Sequence, residues 1–242
     1  RAKRFQKIRI IIVGGGINGA SIARDAALRG YKVALLEQRD LGFGTSSRSS
    51  RLIHGGLRYL EMGEVGLVFE SVSERFLLSQ IARHLVRPLA FVVPVYKGDA
   101  FPLFAVDAGL WLYDALALFR NYKNHTRLSA AQLKRFVPGL LAEGLSGAVR
   151  YYDYQTDDAR LVLENALGAE EAGADLLTYC RVEGFEYQRQ RVEVVRARDL
   201  LANEDIALQA RCVLCAAGPW TDQVLGLTER PDAWLRPSKG VH

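Results

Sequence analysis

The sequence predicts an α/β fold with a parallel sheet, and three observations near the N-terminus carry that prediction. An apolar run over residues 8–13 leads into glycines at Gly14, Gly16 and Gly19. An alanine-rich segment of helical character follows. A second apolar run, residues 33–36, then ends at Glu37. Strand, helix and strand within ~30 residues form the unit from which a parallel sheet is built.

The glycine spacing indicates a dinucleotide site. Gly14 lets the chain turn off the strand, Gly16 lets a diphosphate reach the backbone, and Gly19 lets the helix press on the strand. The helix N-terminus favours negative charge through its unpaired N–H groups and its dipole. Glu37 is placed to accept hydrogen bonds from an adenosine ribose, which favours FAD or NAD over NADP. A chance glycine turn is the alternative.

Composition limits the function classes. The 242 residues are 49% hydrophobic and 24% charged, as in an ordinary globular protein of one large or two small domains. No apolar run reaches the ~18 residues of a membrane-spanning helix. The net charge of +5 suits anionic ligands but is spread along the chain, so nucleic acid is not an expected partner. The basic N-terminus lacks the apolar core of a secretory signal, which favours the cytosol or a matrix; it either stays solvated or touches anionic lipid.

The cysteine and histidine patterns favour neither a metal site nor a redox site. The three cysteines, Cys180, Cys212 and Cys215, cannot all pair and are expected to be reduced. Cys212 and Cys215 spell CxxC within a predicted strand, where residues three apart point to opposite faces, so both are predicted to be core residues, with a redox pair as the alternative. The four histidines are scattered, without metal-ligand spacing.

Periodicity predicts the remaining elements. Helices are expected over residues 64–84, 104–119 and 159–171, the last capped by Asp157 or Asp158, with a short helix from Ser129 to near Pro138. Strands are expected over residues 89–93, bracketed by Pro88 and Pro94, and over 175–179, 181–188, 191–197 and 206–216. The last strand ends in small residues, at the sheet edge where ligands bind in doubly wound folds.

Five segments together carry a resemblance to a known family. They are residues 13–19, 45–50, 52–60 (Leu-Ile-His-Gly-Gly-Leu-Arg-Tyr-Leu), 157–161 and 217–220. They resemble the flavin-dependent, respiratory glycerol-3-phosphate dehydrogenases of the wider D-amino-acid-oxidase-like FAD oxidoreductase superfamily. The Ile-His-Gly-Gly-Leu-Arg-Tyr segment is the specific part, because the glycine fingerprint and Ala-Gly-Pro-Trp also occur in sibling amine and amino-acid oxidoreductases.

The resemblance implies a fold and a domain plan. It implies a Rossmann-like, glutathione-reductase-like FAD-binding domain in two segments, 1–85 and 149–222. An inserted antiparallel-sheet substrate domain would begin over 86–148 and continue from 223 to 242. Members of the family are more than twice as long, so the chain is expected to be a fragment.

The resemblance also implies an activity. It is the FAD-dependent oxidation of sn-glycerol 3-phosphate to dihydroxyacetone phosphate, with hydride passing to flavin and electrons to a membrane quinone. The expected location is cytoplasmic and peripheral to the inner membrane, with a homodimer as an option for the full-length protein. The alternatives are a glycerol-3-phosphate oxidase, an amino-acid oxidase sibling, and a non-catalytic dinucleotide-binding fragment.

The resemblance carries residue roles as well. Arg58 and Tyr59 would hold the substrate phosphate, which suits the bidentate fork of an arginine; a packing role is the alternative for Arg58. His54 is the candidate base for the substrate's secondary hydroxyl, and a hydrogen bond to flavin or backbone is its alternative. The segment ending at His242 resembles one near the active site. The implied cofactor-binding residues are Gly14, Gly16, Asn18, Gly19, Glu37, Gln38, Thr45, Ser46, Ser47, Ser49, His54, Gly55, Gly56, Leu57, Val182, Ala217, Gly218 and Trp220.

Overall fold

The structure, a computed structural model, describes residues 8–229 and 234–236; at positions 58 and 61 it describes the backbone alone. By its internal contacts the chain divides into a first unit, residues 1–50 with 158–242, and a second unit, residues 51–157. The domain boundaries expected after residues 85, 148 and 222 stay a prediction.

Strands and helices alternate through most of the described chain. In chain order the strands are β1 (Ile10–Val13), β2 (Val33–Leu36), β3 (Leu52–Ile53), β4 (Arg87–Tyr96), β5 (Thr126–Leu128), β6 (Leu145–Gln155), β7 (Asp175–Leu177), β8 (Cys180–Gln188), β9 (Arg191–Asp199), β10 (Glu204–Gln209) and β11 (Cys212–Cys215). The helices are α1 (Ile17–Leu28), α2 (Leu57–Glu61), α3 (Val65–Ile81), α4 (Leu103–Leu116), α5 (Ala130–Phe136), α6 (Asp158–Glu171) and α7 (Thr221–Leu225), with 3-10 turns at Thr45–Ser47 and Gly218–Trp220.

A parallel sheet in the order β11-β1-β2-β7 forms the centre of the first unit, as predicted. Because side chains alternate between the two faces of a strand, β1 contributes side chains to two hydrophobic cores. Ile11 and Val13 pack on the side of the antiparallel sheet β10-β9-β8. Ile12 packs on the side of α1. Burial on both faces explains why β1 and β2 read as continuous apolar runs.

An antiparallel sheet, in the order β3-β6-β4 with β5 also paired to β6, organises the second unit. Helices α3 and α4 cover it, and Val72, Leu110 and Val149 are among the buried residues of their common core. Ser129 starts α5 with a capping box, since its hydroxyl accepts from Gln132 N at 3.3 Å and the Gln132 side chain accepts from Ser129 N at 2.9 Å.

Two strands differ from their predicted bounds. The strand expected between Pro88 and Pro94 runs through both prolines, because β4 lies at the edge of the described sheet, where a missing N–H on the outer side removes no ladder bond. The strand expected over 206–216 is two strands, since β10 belongs to the antiparallel sheet and β11 to the parallel one. Residues 210–211 carry the chain from one sheet to the other.

The prediction that Cys212 and Cys215 are core residues is wrong. Both are exposed, because β11 lies at the edge of the parallel sheet and β1 alone pairs with it in the described chain. Cys180 is buried, and desolvation raises the pKa of its thiol to about 11. All three cysteines are free.

Thiol labelling at pH 8 should therefore separate the cysteines. Since the thiolate is the reactive form, Cys212 and Cys215 should react with a thiol reagent in the native protein, whereas Cys180 should react only after unfolding. The measurement is the number of thiols titrated before and after denaturant, with Cys212→Ser and Cys215→Ser each removing one native thiol. Fast native labelling of a Cys212→Ser, Cys215→Ser variant would contradict it.

Candidate functional site

A cavity of about 790 Å³ opens in the first unit at the carboxyl ends of β1, β2 and β11. Its volume lies in the ~300–1,000 Å³ range of small-molecule and cofactor sites. Twelve of the residues expected to bind the cofactor line it: Gly14, Gly16, Asn18, Glu37, Gln38, Thr45, Ser46, Ser49, Val182, Ala217, Gly218 and Trp220. The two other expected residues of this unit, Gly19 and Ser47, lie off its lining.

A side chain at Gly14 or Gly19 would clash with the backbone, and one at Gly16 would crowd the Ser46 side chain. Gly14 has φ +112°, and a Cβ there would lie 2.5 Å from the Ala216 carbonyl oxygen. A Cβ on Gly19 would lie 1.9 Å from the Gly14 carbonyl oxygen, so Gly19 serves the packing of α1 on the strand end. A Cβ on Gly16 would point toward Ser46 Oγ at 3.3 Å, in the cavity wall. Gly14 thus makes the turn and Gly19 allows the helix packing, whereas close approach of a diphosphate at Gly16 stays a prediction.

The N-terminus of α1 is open to an anion. Its N-cap is Gly16, which has no side chain, and its first turn has no acidic residue. The Ile17 N–H donates to Ser46 Oγ at 3.0 Å, so a hydroxyl stands where the helix presents its amides. These groups suit a diphosphate because backbone N–H groups and the helix dipole both favour negative charge there.

Glu37 ties the glycine turn to the end of β2. One carboxylate oxygen accepts from Gly15 N at 2.7 Å and the other accepts from Arg39 N at 2.9 Å. The two bonds fix the carboxylate in the cavity wall. Each oxygen keeps a further lone pair, so ribose hydroxyls can still donate to it.

The opposite wall is built from the loop after β2 and the turn after β11. A Cβ on Gly44 would lie 2.7 Å from the Trp220 ring, so the glycine lets loop and indole meet. Ser49 donates its hydroxyl hydrogen to the Asp158 carboxylate. Ser47 instead directs its hydroxyl to backbone carbonyls of its own loop, at 3.4 Å.

Sequence reasoning missed several lining residues. Asp158 and Leu161 belong to the Asp-Asp-Ala-Arg-Leu segment of the resemblance and carry no predicted site role, yet both line the cavity. Arg181 and Glu183 flank Val182 there and pair with each other at 2.6 Å. Nothing local in the sequence marks these two, because β8 is brought to the cavity by the sheet.

The remaining expected site residues lie in the second unit. His54, Gly55 and Gly56 form the turn between β3 and α2, and Leu57 begins α2. Tyr59 packs its ring against the core of this unit. Arg58 lies in α2 with its side chain outside the described atoms, and His242 and residues 1–7 lie outside the described residues.

The turn itself constrains His54, which is exposed. Its Nδ1 accepts a hydrogen bond from Gly56 N at 3.1 Å. With Nδ1 accepting, the neutral ring carries its proton on Nε2 and offers a donor there. The basic ring atom is therefore Nδ1, and it becomes available to a substrate hydroxyl only when its contact with Gly56 opens.

No membrane-spanning helix and no metal-binding cluster occur in the part of the chain that the structure describes. None of its helices combines the length and the apolar character that crossing a bilayer requires. None of its groups of His, Cys, Asp and Glu brings three possible metal ligands together.

Comparison with known proteins gives close relatives. A model described as FAD dependent oxidoreductase matches residues 9–242. The aerobic glycerol-3-phosphate dehydrogenase of Staphylococcus aureus is 42% identical over 241 residues, which are 99% of this chain and 43% of that protein. The chain thus spans less than half the length of the curated relatives it matches.

Solved structures agree with this likeness. Glycerol-3-phosphate dehydrogenase from Bacillus halodurans, complexed with FAD, matches with a TM-score of 0.70 and 33% identity, over 91% of this chain and 36% of that one. L-alpha-glycerophosphate oxidase from Mycoplasma pneumoniae, with FAD bound, matches with a TM-score of 0.68 over 93% of this chain and 57% of that one. At 16% identity the second likeness concerns the fold alone.

Replacing Glu37 by glutamine should weaken FAD binding. The amide retains one oxygen, so one of the two backbone N–H groups at Gly15 and Arg39 loses its acceptor. The ribose hydroxyls of FAD lose their charged acceptor as well, and losing such a hydrogen bond between ligand and protein corresponds to a ~10- to 100-fold higher Kd. Quenching of flavin fluorescence during titration measures it. Glu170→Gln, on an exposed position of α6, is the matched control; equal affinities for both variants would refute the role.

Proposed function

Because the chain belongs to the FAD-dependent oxidoreductase family, we propose that it binds FAD in the cavity of the first unit and takes part in oxidising sn-glycerol 3-phosphate to dihydroxyacetone phosphate. The relative at 42% identity and the FAD complex at 33% identity support this substrate, since both are named glycerol-3-phosphate dehydrogenases. The activity of the whole protein is the proposal, because the chain spans 43% of that relative.

The fit of the cavity to FAD is the observation that carries the proposal. Gly14 and Gly19 have no room for a side chain, and Gly14 and Gly16 open on the cavity. A diphosphate in the cavity therefore has access to backbone N–H groups. Glu37 stands fixed for the ribose hydroxyls. When bound, FAD supplies the acceptor for the substrate's hydride.

Arg58 and Tyr59 are proposed to hold the substrate phosphate. They follow the His-Gly-Gly turn directly, in the first turn of α2. A guanidinium matches phosphate oxygens with two parallel hydrogen bonds, and a phenol adds a donor. The family resemblance and these donor types support the assignment.

His54 is proposed to take the proton of the substrate's secondary hydroxyl. The proton goes to Nδ1, and for this the bond from Gly56 N must open first, since that lone pair is otherwise engaged. The resulting imidazolium would keep its Nε2–H as a donor. A hydrogen bond from Nε2–H without proton transfer is the competing role.

Further partners follow from the same resemblance. The electrons are proposed to pass to a membrane quinone, with the protein peripheral to the cytoplasmic face of the inner membrane and a homodimer as its assembly. Likeness to respiratory dehydrogenases supports these three points. Re-oxidation of the reduced flavin distinguishes the acceptor, because an oxidase would react rapidly with oxygen and a dehydrogenase with a quinone analogue.

The half-reaction gives the direct test. Anaerobic sn-glycerol 3-phosphate should bleach the visible absorption of the FAD-loaded protein. Glycerol, which lacks the phosphate, and sn-glycerol 1-phosphate, its enantiomer, should not. Bleaching by an amino acid instead would move the proposal to the amino-acid oxidases, and FAD binding without bleaching by any of these would leave a dinucleotide-binding protein.

Substitution of His54 tests its role. His54→Gln should slow flavin reduction by sn-glycerol 3-phosphate about 10²- to 10⁴-fold, the usual contribution of a general base. It should also abolish the rise of the rate with pH that a base produces. Stopped-flow reduction across about pH 5–8, the range in which an imidazole changes charge, measures both, with the exposed His84→Gln as control. A slower rate with an unchanged pH profile would favour the donor role.

A further inference from the structure

A buried ion pair lies beneath the β3–α2 turn of the second unit. Arg75 on α3 pairs with Asp153 on β6, and their side chains are 2% and 3% exposed. The Tyr113 hydroxyl joins them, accepting from Arg75 Nη1 at 2.7 Å and donating to Asp153 Oδ1 at 3.0 Å. Burial raises the pKa of Tyr113 above its usual value, so the phenol remains a donor at neutral pH.

The pair reaches the backbone of the turn. Gly55 N donates to the same Asp153 Oδ1 at 3.2 Å. Gly55 is itself buried, and a Cβ there would lie 2.1 Å from the Tyr113 hydroxyl oxygen, so the turn rests directly on the cluster. The next residue, Gly56, has φ +71° and is the N-cap of α2. A displacement at Gly55 therefore moves His54 on one side and α2 on the other.

A second set of polar groups holds Arg75 at its other terminal nitrogen, Nη2. Its Nη2 donates to Asn121 Oδ1, and Asn121 Nδ2 donates to Asp114 Oδ1 at 2.6 Å. Asp114 in turn contacts His125 Nδ1 at 2.7 Å. The guanidinium is thereby held at both of its terminal nitrogens. Its Nε is buried without a hydrogen-bond partner among the described residues, so the hydrogen bonds that connect it to the elements around α3 come from the two terminal nitrogens alone.

Stability alone is a weak reason for such a pair. Replacing a buried ion pair with apolar residues of similar size is often neutral or stabilising, because two charges must be taken out of water. What an apolar replacement cannot provide is an acceptor for the Gly55 N–H. The ion pair places a charged acceptor 3.2 Å from that amide nitrogen and keeps it there.

We propose that Asp153, supported by Arg75 and Tyr113, is a positioning residue that holds the Gly55 amide and so sets the orientation of His54 and of the first turn of α2. The inference rests on the proposed function for the use of that orientation in flavin reduction. The hold on the turn is independent of any ligand and can be measured without one.

Two matched variants isolate the acceptor. Both carry Arg75→Met and Tyr113→Phe, which remove the buried cation and the hydroxyl together, so that neither is left without a partner. One adds Asp153→Asn, which keeps an oxygen for Gly55 N–H; the other adds Asp153→Leu, which has a similar shape and no acceptor. The readouts are amide hydrogen exchange at Gly55, referred to Val149 in buried β6, and the rate of flavin reduction by sn-glycerol 3-phosphate in the FAD-loaded protein.

The inference expects Gly55 exchange, relative to Val149, to be about tenfold faster in the leucine variant than in the asparagine variant, as for one lost hydrogen bond. Flavin reduction should be slower in the same variant by a similar factor, with the shape of its pH profile retained. Equal relative exchange would overturn the hold on the turn. Faster exchange with equal reduction rates would overturn its use in the reaction. A wild-type flavin that sn-glycerol 3-phosphate does not reduce would reject the proposed function, while the exchange comparison would still decide the hold.

Discussion

The approach of helix α1 to the end of strand β1 is the constraint on which the first unit depends. A Cβ at Gly19 would lie 1.9 Å from the Gly14 carbonyl oxygen, so the helix can occupy this position only if residue 19 is glycine. The same contact aims the N-terminus of α1 at the cavity. Small residues continue the close packing along the helix, with Ala20 against α6 and Ala23 against the sheet. Because the helix and the strand end pack in direct contact, the position of the cavity wall is determined by backbone geometry rather than by flexible side chains.

Local contacts explain what the sequence could predict. The β1–α1–β2 unit, its glycines and Glu37 interact within one short segment, so their spacing in the sequence is enough to predict their arrangement. The exposure of Cys212 and Cys215 and the break between β10 and β11 depend on the order of strands, which residues 206–216 do not encode by themselves. The prolines in β4 are tolerated for the same non-local reason, since only the assembled sheet makes that strand an edge.

The same distinction between local and non-local contacts applies to the candidate site. Twelve cofactor positions expected from motif and resemblance line one cavity. Arg181 and Glu183 reach it only through folding, and no short sequence pattern predicts them. The partnership of Arg75 with Asp153 is hidden even further, because the residues come from a helix and a strand separated by most of the second unit. The buried Gly55 is the one nearby residue in the sequence that reflects this pair. The reason for a glycine there is apparent only in the folded structure, where a Cβ would clash with the Tyr113 hydroxyl oxygen.

The charges around the cavity identify what must hold a diphosphate. Among the described lining residues, Glu37, Asp158 and Glu183 are acidic, whereas Arg181 is the one cation and is already paired with Glu183. The cations behind the overall charge of +5 therefore lie mostly outside the cavity lining. Because the lining has one side-chain cation, its main groups for attracting an anion are backbone N–H groups and the α1 dipole. The dipole contributes ~0.3–1 kcal/mol per charge at an exposed helix terminus and up to ~2 kcal/mol at a partly buried one. Such modest terms act only at short range, so affinity depends on the close approach that Gly14, Gly16 and Gly19 allow.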